Sequence, residues 1–72
     1  MTNRPLRVGQ VYRIDCGGGL VADYEVREVS GRGANRVARC LIYDGQIVRS
    51  EWVNLRRLRH GVLIHDAKEP KP

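Results

Sequence analysis

Residues 50–61 read SEWVNLRRLRHG, and the fold turns on where the strand inside this stretch ends. Two readings compete. In one, Ser50 opens a long helix that carries Trp52. In the other, residues 46–53 (QIVRSEWV) form a strand, and only one to two helical turns follow at 55–60. The second is preferred. Ile47, Val48, Trp52 and Val53 are strong strand formers, and the segment follows Asp44–Gly45, a hairpin signal. Asn54 is a good helix N-cap and Gly61 a good residue to follow the helix end. Arg56, Arg57, Arg59 and His60 sit where a helix C-terminus favours cations. Leu55 and Leu58 then share a face and plug the end of a barrel.

Outward from this stretch, turn signals mark four more strands. VGQVYRID (8–15) comes first, with Val11, Tyr12 and Ile14 competing for the inside. Three glycines at 17–19 break the chain. DYEVREV (23–29) alternates, with Tyr24 and Val26 on one face and Asp23, Glu25 and Arg27 on the other. Val29 falls out of phase, which predicts a bulge or the strand end. SGRGAN (30–35) is a turn. RVARCLIYD (36–44) is the longest apolar-rich run and reads as a central strand. GVLIHD (61–66) closes the set. Val and Ile number 13 in a chain of 72 residues, against six Leu, four Ala and no Phe, a balance that favours strands.

The predicted fold is therefore all-β: a five-stranded barrel with one short helical turn before the last strand. One domain fills residues 8–66, residues 1–7 (MTNRPLR) read as a flexible arm, and residues 67–72 (AKEPKP) as a frayed tail. A chain this short buries only about 60% of its unfolded surface. That favours a shallow binding surface over a deep catalytic cleft, and no enzyme activity is expected.

The opening VGQVYR, the Gly-rich loop, the central hairpin at YDG, VNLRRL and a closing strand together resemble the SH3-like small barrels. KOW-type and Tudor-like modules share that barrel, and short phage and prophage proteins with a VGxxY…V…DG…L skeleton look similar. The resemblance spans residues 8–66 and implies a module that binds nucleic acid or peptide.

The net charge is +5, which makes nucleic acid or another polyanion a candidate partner. Eleven of the 13 basic residues are Arg. A GC-rich genome alone produces that bias, so placement carries more weight than number. One set is Arg56, Arg57, Arg59 and His60; a second is Arg32, Arg36 and Arg39, flanking the glycines of GRGAN. Guanidinium groups match phosphate geometry. Taken alone, each set also fits a solvated turn; both on one face would favour phosphate. Residues 15–28 carry a local net charge of −3 (Asp15, Asp23, Glu25 and Glu28 against Arg27), so a protein target with mixed charge is the rival partner.

The aromatics are Tyr12, Tyr24, Tyr43 and Trp52. Tyr43 and Trp52 are candidate partner contacts, although a core without Phe is expected to recruit Trp52 and one or two Tyr for volume. Cys16, Cys40, His60 and His65 make a formal two-Cys, two-His set, but the cysteines lie 24 positions apart with no CxxC knuckle. No metal and no cofactor is expected. The glycines at 17–19 lack the Lys-Ser/Thr of a phosphate loop. Without a signal segment or an apolar run near the roughly 18 residues of a membrane span, the chain reads as cytoplasmic with reduced thiols, and no membrane partner is expected.

The leading expectation is a small basic module that contacts nucleic-acid phosphates through Arg56, Arg57, Arg59 and the GRGAN turn, with Arg32, Arg36, Arg39 and His60 in the same site. The alternative is a protein-interaction module, such as a phage-type accessory or host-defence inhibitor. A third is a small-nucleotide binder with arginines between protomers. Open barrel edges allow monomer or homodimer.

Overall fold

A computed structural model describes residues 6–66. It contains β1 (Val11–Gly17), β2 (Leu20–Ser30), a 3₁₀ turn (Gly33–Asn35), β3 (Val37–Asp44), β4 (Ile47–Asn54), α1 (Leu55–Arg59) and β5 (Val62–His65). The strands form one antiparallel sheet in the order β4-β3-β2-β1-β5. The sheet curls like a barrel but stays open, since β4 and β5 do not pair. SEWVN therefore belongs to a strand, and the helix is one short turn set before the last strand.

Each reversal has a local cause. Gly18 and Gly19 link β1 to β2 with φ of +61° and +79°, the two positive angles that a type I′ hairpin turn requires. The three-glycine run thus serves chain reversal. In the β3–β4 hairpin the two central residues are Gly45 and Gln46, and only Gly45 has positive φ. The turn follows the type II′ pattern, with glycine first.

Alternation along the strands sends Tyr12, Ile14, Ala22, Tyr24, Val26, Ala38, Cys40 and Ile42 inward, and all are buried. The phase slip at Val29 is a bulge. The β2–β3 register shifts between Val26 and Glu28, so Val29 returns to the inner face opposite Ala38 and packs on the core.

Leu55 and Leu58 of α1 close the end of the core, Leu58 with no exposed surface. The helix starts where Asn54 Oδ1 accepts a hydrogen bond from the Arg57 N–H at 2.8 Å, satisfying one of the first-turn donors. Gly61 follows the helix end as expected, but for a different reason. Its φ is not left-handed; instead a Cβ there would meet the Arg13 carbonyl oxygen at 2.7 Å and the Ile14 side chain at 2.8 Å. Glycine lets the chain cross tightly over β1 into β5.

Two expectations are corrected. Leu6, assigned to the arm, is buried in the core; the rest of the arm and the tail lie outside the described residues. Trp52, expected to supply core volume, is 52% exposed. It shares a face with Arg39, its partner across β3–β4, and that face points away from the core. Tyr12 and Tyr24 supply the volume instead. Gln10 also fills buried space: its Oε1 accepts from the Arg7 N–H and Tyr12 Oη, each at 2.9 Å, and its Nε2 donates to Asp66 Oδ1 at 2.9 Å. This amide clasps the chain entry to the residue after β5, and its hydrogen bonds offset the cost of burial.

Candidate nucleic-acid interface

The GRGAN turn and α1 are neighbours. The Leu55 N–H donates to the Arg36 carbonyl at 2.9 Å, which ties the exit of the 3₁₀ turn to the first residue of the helix. The turn is held by Asn35 N–H to Arg32 O at 3.0 Å and Arg36 N–H to Gly33 O at 3.4 Å. Gly31 is required beneath it: φ is +87°, and a Cβ would meet the Asn35 carbonyl oxygen at 2.7 Å.

Two shallow depressions mark the seam between these elements. Ala34, Leu55, Arg56, Arg59 and His60 line one, and Ala34, Asn35, Val37, Asn54 and Arg56 line the other. Arg56 stands on both. Arg57 lies exposed on the same helical turn, Arg32 precedes the 3₁₀ turn, and the half-buried Arg36 ends it. The tertiary fold thus brings the segment carrying Arg32 and Arg36 against the helix carrying Arg56, Arg57, Arg59 and His60, at the end plugged by Leu55 and Leu58.

The charge environment of this pole is one-sided. Residues 29–43 and 52–65 contain no Asp or Glu, and these are the segments that build it. Among the described residues, none of Arg32, Arg36, Arg56, Arg57 and Arg59 has a carboxylate within ion-pair distance. Every acid among them is engaged elsewhere. Asp23 holds Arg13 at 2.9 Å, Glu25 holds Arg27 at 3.4 Å, and Glu28 holds Arg39 at 3.2 Å. Asp44 and Glu51 both hold Arg49. Asp15 accepts from the Gly17 N–H at 2.7 Å, and Asp66 accepts from Gln10. Asp23, the hydrogen-bonding partner and the nearby charge, raises the Arg13 pKa; Glu51 and Asp44 do the same for Arg49.

Three residues of the expected site lie elsewhere. Arg39 points from the outer face of β3, where its Nε meets Glu28 Oε1, so an acid of the second strand diverts it from the pole. Tyr43 and Trp52 share that outer face. Tyr43 Oη donates to Glu25 Oε1 at 3.2 Å, and partial desolvation, with this carboxylate, raises the phenol pKa. Beside them, Val48 is 54% exposed, and the set forms an apolar, aromatic surface separate from the pole. Asn35, Asn54 and Ala34, which line the depressions, are residues the sequence reading did not single out as site members. Ala34 and Asn35 belong to the GRGAN turn that the sequence reading placed in the site as a whole, and Asn54 was marked only as a helix cap.

The four Cys and His residues are dispersed. Cys40 lies in the core, where desolvation pushes its thiol up to about 11; Cys16 is exposed near the end of β1. Among the described residues no three metal-ligating side chains cluster, and no helix is long and apolar enough to cross a membrane. No family model matches the chain, and neither curated proteins nor solved structures supply a match.

Proposed function

We propose that this chain is a small cytosolic binding module that grips nucleic-acid phosphates with the arginine pole formed by the 3₁₀ turn and α1. One observation carries the reading: five arginines lie on two adjoining segments, the 3₁₀ turn and α1, and no described carboxylate pairs with them, while four other arginines each hold an acid. A cation that already has an intramolecular carboxylate must give it up to take a phosphate. The pole arginines have no such competitor, and phosphate contacts supply most of non-specific nucleic-acid affinity. The shallow depressions, with the amides of Asn35 and Asn54 on one side, offer polar contacts to sugar and phosphate but little that reads a base edge. The SH3-like resemblance in the order of elements agrees with a module of this kind.

The test is fluorescence anisotropy with labelled single-stranded and duplex oligonucleotides over a salt series. Five phosphate contacts on a duplex give a slope of log K against log salt of about −4 to −5. Absence of binding at low salt overturns the reading.

A second reading rests on the outer face of β3 and β4, where Tyr43, Val48 and Trp52 are exposed together. Aromatic and aliphatic side chains in one patch suit a protein partner. Pull-down from nuclease-treated lysate, with Trp52→Ala as the control, tests it: a retained stoichiometric protein lost in the variant supports this reading, and retention that requires nucleic acid overturns it.

A further inference from the structure

Strand β4 is an edge. Among the described residues only β3 pairs with it. Edge strands are usually guarded against further pairing by proline, charged side chains, a bulge or short length. β4 is eight residues long, holds neither Pro nor Lys, and runs against β3 in unbroken register from Val37–Asn54 to Asp44–Ile47. Its one guard is a pair of charges, Arg49 and Glu51, opposite Ile42 and Cys40 on the inner side of the sheet, and these two have opposite signs, so a second copy in the right register can match them. The opposite edge, β5, has only four residues.

The backbone of β4 has a defined polarity. A two-residue turn makes Asp44–Ile47 the closing hydrogen-bonded pair. Ile47, Arg49, Glu51 and Val53 therefore turn their backbone groups to β3. Val48, Ser50 and Trp52 turn theirs to the open side.

The side chains of this strand are self-complementary. From Ile47 to Val53 the order is two apolar residues, Arg49, Ser50, Glu51, and two apolar residues. An antiparallel copy centred on Ser50 sets Ile47 against Val53, Val48 against Trp52 and Arg49 against Glu51. It also pairs the backbone groups that face outward, making about six new hydrogen bonds. Other centres satisfy the same backbone rule but fail on side chains. Centring on Arg49 or on Glu51 opposes identical charges, and centring on Val48 sets Ile47 against Arg49.

We propose that the chain forms a two-fold homodimer through antiparallel pairing of β4 with β4 of a second copy, centred on Ser50. Arg49 of each copy then faces Glu51 of the other, exchanging its Glu51 contact within the chain for the same contact between chains while Asp44 stays within its reach. The interface is isologous, so both charge pairs form at once. Val48 of one copy covers Trp52 of the other on the outer face, where both are more than half exposed in the single chain. Each arginine pole is left open. The two Asn54 helix caps lie roughly 27 Å apart along the strand direction, given about 3.4 Å per residue. The proposal names a partner for the outer surface invoked in the second reading and stands independently of the arginine pole.

Sedimentation equilibrium on the full chain is the experiment. The wild-type protein is expected to move from one to two chain masses as concentration rises. Arg49→Glu and Glu51→Arg each place like charges opposite one another twice, and each weakens self-association by about 10-fold or more. An equimolar mixture of the two variants recovers it, because every opposed pair is again of opposite sign. That recovery also shows that both variants are folded. In a Cys16→Ser background, Ser50→Cys is expected to form an intermolecular disulfide on mild oxidation. Residues opposed in a hydrogen-bonded pair have Cα atoms about 5.5 Å apart, within disulfide reach. A wild-type chain that stays monomeric to high concentration, or variants that fail to associate when mixed, overturns the dimer; oligonucleotide binding measured on the same samples is unaffected by that outcome.

Discussion

The sheet surface and the helical pole use the same residue in opposite ways. On the sheet and its hairpin, Arg13, Arg27, Arg39 and Arg49 each hold a carboxylate. At the pole, Arg32, Arg36, Arg56, Arg57 and Arg59 hold none. The difference comes from where the acids fall. All described acids belong to the strands, or to the residue after β5, and cross-strand register places Asp23 opposite Arg13 and Glu28 opposite Arg39. The pole is made from two acid-free segments. Its positive charge is thus a property of position rather than of arginine content, and exposed ion pairs on the sheet add little to stability.

The largest test removes the support of the pole. Leu58→Ala empties a fully buried position and is expected to cost about 2–5 kcal/mol by urea denaturation. Because Leu58 anchors α1 and not the sheet pairing, polyanion binding should fall with it even where strand signals persist. Unimpaired binding would break the link between the plug and the cationic surface.

Charge reversal comes next. Arg56→Glu with Arg59→Glu is expected to weaken oligonucleotide binding on the order of 100-fold at low salt. Arg13→Gln with Arg39→Gln, on the sheet, should leave it within about twofold. Equal losses from both pairs would erase the distinction between the two regions.

A finer measure is the salt slope. Arg56→Gln should reduce its magnitude by about 0.9 on a duplex, the share of one phosphate contact, while Arg13→Gln leaves the slope unchanged. The smallest effect is expected from Asn54→Ala. Loss of the cap bond to Arg57 costs about 1 kcal/mol in the denaturation midpoint and leaves the guanidinium groups in place, so binding at saturating stability changes little.

The number, order and turns of the strands were legible because they rest on local signals, although β1 starts at Val11 rather than Val8 and β2 at Leu20 rather than Asp23. The hairpin at Asp44–Gly45, the alternation through Tyr24 and Val26, the phase slip at Val29 and the Asn54 cap each involve neighbours a few residues apart. Trp52 was misplaced for the same reason. Its strand is real, but which face it joins follows from pairing with Arg39, a residue 13 positions away. Arg39 was grouped with Arg32 and Arg36 by proximity in the chain, whereas alternation along β3 and a bulge in β2 put it beside Glu28.

The order of residues alone determined an all-β chain with one helical turn, its turn positions, and the two acid-free arginine segments. Contact between those segments was decided only by the fold, through the Leu55–Arg36 backbone bond and the leucines beneath it. So was the pairing of the remaining arginines with acids. Propensity and periodicity act over one or two turns of chain, but a salt bridge between strands depends on register, and a single bulge or an extra turn residue reassigns every partner beyond it.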